Sequence, residues 1–345
     1  MKESQVIMVK TLAHWLAFIG LAFFVSGCSA PVEQISLTGN TMGTTYHIKV
    51  VPNDKLPDPA LLQAEIDMAL EKVNDQMSTY RPNSELSRFN QLALAQSVTV
   101  SPDTVKVINE GLKLHKITDG ALDITLGPLV NMWGFGPDAR PTHIPSQAEI
   151  AAVKAKTGVD GIRVVGNRLE KLKPNLYVDL SSIAKGFGVD KVAHILDKYG
   201  VKGYLVEIGG EVSVKGTKAD GEPWRIAVEQ PTMDERAVQQ IIEPGTMAMA
   251  TSGDYRNYYE EDGQRFSHII DPRTGYPVQH KLASVTVMNK SCMVADGYAT
   301  AMMVLGTQAS LALAEKEHLA IMLIEKQGKG FKVYYSKAFK RFLVD

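Results

Sequence analysis

The apolar positions fall into two periods, and their alternation along the chain sketches the fold. Ile35 to Thr38, a turn at Gly39-Asn40, and Thr44 to Val51 read as a β-hairpin with β-branched residues on both arms and Met42-Gly43-Thr44 at its tip. Leu62, Ile66, Leu70, Val73 and Met77 then keep helical spacing behind Asp58 as cap and Pro59 in the first turn. Ser78-Thr-Tyr-Arg-Pro82 ends that helix, and a second runs from Pro102 to about Lys116, closing at Asp119-Gly120. Gly120 to Pro128, Trp133-Gly-Phe-Gly136 and a proline-rich stretch from Pro137 to Pro145 read either as cleft-lining loop or as a glycine-rich crossover packed by Trp133. A helix over Gln147 to Lys156, a hairpin through Gly166-Asn167 and a strand from Leu176 to Leu180 follow.

Strands dominate the second half. Gly203 to Ile208, Glu211 to Thr217, Trp224 to Val228, Met247 to Ser252 and Leu282 to Met288 have strand character, and two helices and a last strand pair close the chain. Strand follows strand without regular βαβ alternation, which predicts an α+β fold with mixed or antiparallel sheets and packed helices.

With 345 residues, 45% of them hydrophobic and 22% charged, the chain can bury a large core. A net charge of -1 leaves no basic footprint, so nucleic acid is not an expected partner. The N-terminus has its own pattern: Lys2 and Lys10 precede an apolar run from Leu12 to Val25, shorter than a membrane span and ending in Ser26-Gly27-Cys28. Val25-Ser26-Gly27-Cys28 resembles a bacterial lipobox. It predicts a signal peptide over 1–27, lipidation of Cys28, a tether over 28–34 and a catalytic region over 35–345, on the periplasmic side of a bacterial membrane. The alternative is an uncleaved anchor. Cleavage would remove Lys2, Lys10 and Glu3, and would leave Cys292 with no cysteine partner.

Four segments carry candidate chemistry. His268-Ile-Ile-Asp-Pro-Arg-Thr-Gly-Tyr-Pro277 puts His268, Asp271 and Arg273 on a short apolar strand and the turn that ends it. It reads as an active-site corner or as a turn whose Asp and Arg serve the backbone. Asp296 and Thr300 stand four apart on a predicted helix, so one hard cation such as Mg²⁺ can take both oxygens; otherwise Asp296 caps that helix. Asp179-Leu-Ser-Ser-Ile-Ala-Lys-Gly186 passes from strand to helix. There Ser181 or Ser182 can cap, and the free N–H groups, with Lys185 near, face an anion such as a diphosphate. Gly209-Gly210-Glu211 is either a close-approach site or a plain tight turn. Walker loops, His-Glu-x-x-His helices, Cys-x-x-Cys pairs and Gly-x-Ser-x-Gly elbows are absent from the sequence.

The His268–Pro277 corner and Asp179–Gly186, with Thr41-Met-Gly-Thr-Thr-Tyr46 near the start and Asp296-Gly-Tyr-Ala-Thr300 near the end, resemble in order and wording the ApbE family of FAD:protein FMN transferases. The resemblance runs from about Ile35 to the C-terminus. It implies a T-fold-like α+β core holding FAD, and an Mg²⁺ ion on Asp296, Thr300 and the main-chain carbonyl at Ala184. By residue-wise match it implies FAD contacts at Met42, Tyr80, Ala121, Leu122, Asp123, Ser181, Lys185 and Ile270, with Asp179 near them. Tyr80 is suited to stacking on a flat ring and Asp123 to accepting from adenine or ribose, or to capping a turn. The implied reaction transfers FMN to a Thr or Ser hydroxyl of an exported flavoprotein and releases AMP. His268 either takes the hydroxyl proton or positions FAD. Two other readings stay open: a periplasmic FAD pyrophosphatase, and a non-catalytic flavin-binding lipoprotein.

Overall fold

The computed structural model describes residues 33–136, 143–232, 237–255, 257–261 and 263–344. The expected signal peptide, Cys28 and most of the tether lie outside these residues, as does much of the proline-rich stretch. Residues Gln34–Asp345 form one compact unit.

The chain opens with the antiparallel pair β1 (Ile35–Thr41) and β2 (Thr44–Val50). Its turn is Met42-Gly43, not Gly39-Asn40: φ is 50° at Met42 and 73° at Gly43, the twist-matched geometry of a two-residue hairpin. Gly39 serves another purpose. The buried Tyr46 ring crosses the strand there, and a Cβ at Gly39 would sit 2.5 Å from it.

Helix α1 (Pro59–Met77) starts where Asp58 accepts from Ala60 N–H and buries the predicted apolar stripe. Two short helices, α2 (Glu85–Asn90) and α4 (Gly127–Met132), were not legible in the apolar pattern. Around them lie β3 (Ser97–Thr99), α3 (Pro102–Ile117) and α5 (Gln147–Lys154). The predicted hairpin forms as β4 (Ile162–Val165) and β5 (Arg168–Lys171), and β3 pairs with β5.

Leu176 to Leu180 is not a strand of any sheet. The side chain of Asn90 takes the place of a neighbouring strand: its Nδ2 donates to Val178 O at 2.9 Å and its Oδ1 accepts from Val178 N–H at 2.8 Å. Helix α6 (Ala184–Lys198) follows with Ile183 at its N-cap and no side-chain cap, so neither Ser181 nor Ser182 caps it.

The remaining strands are β6 (Tyr204–Ile208), β7 (Glu211–Lys215), β8 (Ile226–Glu229), β9 (Val238–Ile242), β10 (Met247–Gly253), β11 (Tyr258–Glu261), β12 (Gln264–Ser267) and β13 (Leu282–Asn289). After helices α7 (Cys292–Leu305) and α8 (Thr307–Lys316) come β14 (Ala320–Gln327) and β15 (Gly330–Tyr335). Eight of these strands make one sheet in the order β1-β2-β6-β7-β10-β13-β14-β15, every neighbour antiparallel. This is the expected α+β architecture.

Apolar clusters on both faces explain why β13 is buried almost throughout. Val285 and Val287 join the cluster of α7, while Met288 and Met322 meet Trp224, Val228 and Phe339 on the side of β8 and β9. Helix α7 hides all but Val294, Thr300 and Leu305. A helix apolar almost all round belongs in a core, so a polar side chain on it must answer to a neighbour.

Candidate active site

Buried near the middle of α7 is one carboxylate. Asp296 does not cap its own helix, whose cap is Ser291; its Oδ2 instead accepts from the Gly186 N–H of α6 at 2.9 Å. One turn on, Thr300 Oγ1 lies 3.4 Å from Ser252 Oγ at the end of β10. The helical spacing thus aims both oxygens at the same side.

Lys185, one residue before Gly186, reaches 3.1 Å from Glu211 Oε1 and 4.0 Å from Asp296 Oδ1. Burial disfavours its charge, but Asp296 and Glu211 outweigh that and hold the ammonium above its ordinary range. Burial pushes the carboxyls of Glu211 and Asp296 up, and Lys185 pulls both back. Two buried carboxylates therefore share one positive charge, and Glu211 Oε2 is buried with no hydrogen-bond partner. That orphaned oxygen and the setting of two acidic side chains against a single ammonium fit a divalent cation beside Asp296 and Thr300, whose charge would favour the ionised carboxylates. Among the described residues no group of three or more His, Cys, Asp or Glu side chains could hold a metal by itself. The donor set is therefore of the kind that Mg²⁺ completes with water and phosphate oxygens.

Asp296, Thr300, Lys185 and Glu211 border a cavity of about 980 Å³, at the upper end of the roughly 300–1,000 Å³ typical of ligand pockets. Tyr80, Ala121, Leu122, Asp123, Asp179 and Ser181 line it too, as do His268 and Ile270. Segments distant in sequence thus converge on one space. Met42 and Ala184 do not border it. Met42 packs beneath, against Gly188 of α6, where a Cβ would meet its Cε at 2.7 Å, while Ala184 is the first residue of α6, just ahead of Lys185.

Several wall residues also hold the wall together. Asp123 Oδ1 accepts from Thr125 N–H at 2.7 Å and Thr125 Oγ1 at 2.6 Å, so it closes a turn while lining the cavity. Asp179 accepts from Ser181 N–H at 2.8 Å, and burial pushes its carboxyl up. Tyr80 stands 69% exposed on the wall, its ring open to a stacking partner.

The corner after β12 divides its polar groups. His268 faces the cavity and Nδ1 is 3.0 Å from the Asn257 carbonyl; because a carbonyl only accepts, the proton sits on Nδ1 and Nε2 carries the lone pair. Burial lowers its pKa, and the charge of Lys185 adds to that. Asp271 and Arg273 point elsewhere, paired with each other through two contacts of 2.9 Å, so they serve the turn rather than the cavity. The corner is braced by Trp133, which donates from Nε1 to Gly275 O at 2.9 Å and stacks on Phe266.

Glu211 is the residue that sequence reasoning undervalued. A glutamate opening a strand after Gly-Gly carries no local sign that it will be buried against a lysine from another element.

The sequence profile of the ApbE family matches residues 42–323. An FAD:protein FMN transferase of Vibrio cholerae serotype O1 is 53% identical over 332 residues, covering 96% of this chain and 99% of the relative. One of the same name from Haemophilus influenzae is 46% identical over 340 residues, covering 96% and 98%. Among solved structures, the flavin transferase ApbE from Vibrio cholerae superposes with a TM-score of 0.85 at 54% identity, covering 91% of this chain and all of that one.

Proposed function

The chain belongs to the ApbE family, and from that premise we propose that it transfers FMN from FAD to a Thr or Ser hydroxyl of an exported flavoprotein, releasing AMP. The observation that carries this reading is the convergence of Asp296, Thr300, Lys185 and the start of α6 on one large cavity. Phosphoryl transfer needs such a place, where positive charge meets a diphosphate.

Mg²⁺ held by Asp296 and Thr300, with the Ala184 carbonyl as a third ligand, would neutralise charge developing on the diphosphate oxygens. Lys185 adds a fixed positive charge at the same wall. Ala121, Leu122 and Asp123 are suited to one end of the dinucleotide, and Tyr80 offers a flat ring for stacking. Met42 supports that wall from beneath through α6. The acceptor hydroxyl oxygen bonds to the phosphorus of the FMN half, and the bond from that phosphorus to the bridging oxygen breaks. AMP leaves with the bridging oxygen. His268 Nε2, unprotonated and facing the cavity, takes the hydroxyl proton and passes it to solvent.

The test incubates the purified protein with FAD, Mg²⁺ and candidate exported flavoproteins. An acceptor mass gain of one FMN unit, with one AMP released per unit, supports the proposal; AMP release without any acceptor identifies a pyrophosphatase instead. No turnover of FAD under any condition leaves only a flavin-binding protein. The N-terminal pattern supports an exported, lipid-anchored enzyme on the periplasmic face. Labelled palmitate entering the wild type but not Cys28→Ala tests that anchor.

A further inference from the structure

The cavity does not stop at the face of the main sheet that carries α6 and α7. Residues directly opposite one another on neighbouring antiparallel strands share a face, and adjacent residues of one strand take opposite faces. Tyr46, Ile208 and Glu211 form one row across β2, β6 and β7. Tyr46 and Ile208 are buried in the cluster with Leu62 of α1 and Val192 of α6, and Glu211 meets Lys185. His47, Glu207, Val212 and Met249 form the neighbouring row, which therefore lies on the other face. Val212 and Met249 belong there to the cluster of Trp224 and Val228. Glu211 and all four residues of this second row border the same cavity. A space with walls on both faces of a sheet must pass round the strand ends, and Gly209 and Gly210, the turn from β6 to β7, border it at that point.

The two lobes differ in charge. Lys185, Glu211 and Asp296 crowd the lobe beside α6 and α7. In the far lobe the charged side chains are matched already: His47 Nδ1 lies 2.8 Å from Glu207 Oε2, Arg225 Nε lies 2.9 Å from Glu243 Oε1, and Glu229 is engaged as well. That lobe offers a diphosphate no spare positive charge among the described residues. It does offer one built feature. Glu207 accepts from the Gly210 N–H through Oε1 at 2.7 Å and from His47 through Oε2, so a single carboxylate ties the imidazole to the rim. A carboxylate oxygen only accepts, which puts a proton on Nδ1 and turns Nε2 outward on a side chain 57% exposed.

The geometry points to the far lobe as the seat of the acceptor: an uncharged polar segment of the flavoprotein lies against Thr45 and His47, donates a hydrogen bond to His47 Nε2, and passes over Gly209-Gly210 to bring its hydroxyl to Asp296. This rests on the transferase reading above. Transfer needs two substrates in one connected space, and the lobe of Lys185 and Asp296 suits the one that carries phosphate. The other is a polypeptide and must enter from solvent, where the exposed imidazole stands. Gly209 and Gly210, both at positive φ, put no side chain on the rim it crosses. His47 is thus a recognition residue, set apart from the reacting atoms by the thickness of the sheet.

The test uses the acceptor found in the mass assay. His47→Ala removes one hydrogen bond and should raise the acceptor KM about three- to tenfold, with kcat at saturating acceptor unchanged. Thr45→Trp, on the same face of β2, fills the lobe and should raise that KM about tenfold or more. Both side chains are exposed, so the melting temperatures should stay near the wild type. Lys49→Ala, further along that face and outside the cavity, is the control and should leave the acceptor KM unaltered. FAD affinity, read from flavin fluorescence, should be the same in all four proteins. An acceptor KM untouched by both His47→Ala and Thr45→Trp overturns the acceptor seat while transfer stands. An FAD affinity that falls in either variant gives the lobe to the nucleotide and overturns it too. A wild-type protein that modifies no acceptor overturns the transferase reading, and the acceptor seat with it.

Discussion

Asp296 and Gly186 lie 110 positions apart in sequence, and the Gly186 N–H donates to Asp296 Oδ2 at 2.9 Å. Helix α6 has no side-chain cap of its own, and one of its first N–H groups is satisfied by a carboxylate from α7 instead. The same carboxylate turns its other oxygen toward Lys185 and the cavity. Assembly of the site and packing of the two helices are thus one event. A protein with α6 and α7 misplaced would lose the Gly186–Asp296 contact and the acidic cluster together. The N–H groups of Ile183, Ala184 and Phe187 around the start of α6 do not face an anion as the sequence suggested, because the first two bond to Leu180 O and the third to Ile183 O.

Asp296→Asn separates the two duties. The amide oxygen can still accept from Gly186, so the thermal midpoint should stay near the wild type, whereas the lost charge should lower transfer by about 10²-fold or more. Asp296→Ala loses both: it orphans a buried N–H and should cost about 1–3 kcal/mol as well. Thermal melts beside single-turnover transfer rates check this. An Asn variant with wild-type rate at low Mg²⁺ would remove Asp296 from the metal site.

Gly186→Ala tests the helix contact from the other side. A Cβ there would meet Cys292 O at 2.4 Å and its carbonyl carbon at 2.6 Å, both backbone atoms that cannot rotate away. The helices must part, at a cost of about 1–3 kcal/mol, and the Asp296 contact must lengthen. The melting temperature should fall, and the Mg²⁺ concentration for half-maximal rate should rise. A variant matching the wild type in both would show that α6 and α7 can shift freely.

Local signals made much of this legible in the sequence. The stripe from Leu62 to Met77, the cap at Asp58 and the four-residue step from Asp296 to Thr300 depend on neighbours along the chain, and each lies where the pattern puts it. Long-range choices were not legible. Gly39 looked like a turn because nothing near it announces that Tyr46 will cross it. Leu176 to Leu180 has strand composition but meets an asparagine side chain instead of a ladder. Asp271 and Arg273 shared a motif with His268, yet their mutual ion pair keeps them off the cavity. Glu211 mattered only once folding set it against Lys185.

Asn90 holds the segment that delivers Asp179 and Ser181 to the cavity wall, through two bonds to Val178, and Lys171 Nζ in turn donates to Asn90 O at 2.7 Å. Asn90→Ala leaves both polar groups of Val178 without that partner and should destabilise the fold by about 2–4 kcal/mol, twice the cost of one orphaned group at the low end. Because the loosened segment faces the ligand, FAD binding should weaken more than the rate at saturating FAD falls. Fluorescence titration against saturated turnover decides it; equal losses in both would mean that Asn90 acts on stability alone.

The pH dependence follows from His268. Burial lowers its pKa below the ordinary 6.5, so in the folded protein the imidazole is neutral and able to accept a proton at pH 7. Transfer should be flat on this limb above pH 6.5 and decline only as pH drops through the lower folded value. Stability follows the same sign. Between the folded pKa and 6.5 the unfolded chain binds the proton that the folded one refuses, so stability rises with pH across that window and levels off above it. His268→Gln should cut the saturated rate by about 10²–10⁴-fold and flatten both the acid limb of the rate and its share of the stability slope. Rates and melts from pH 5 upward measure the two effects separately. An unchanged acid limb in the Gln variant would assign the proton to another group.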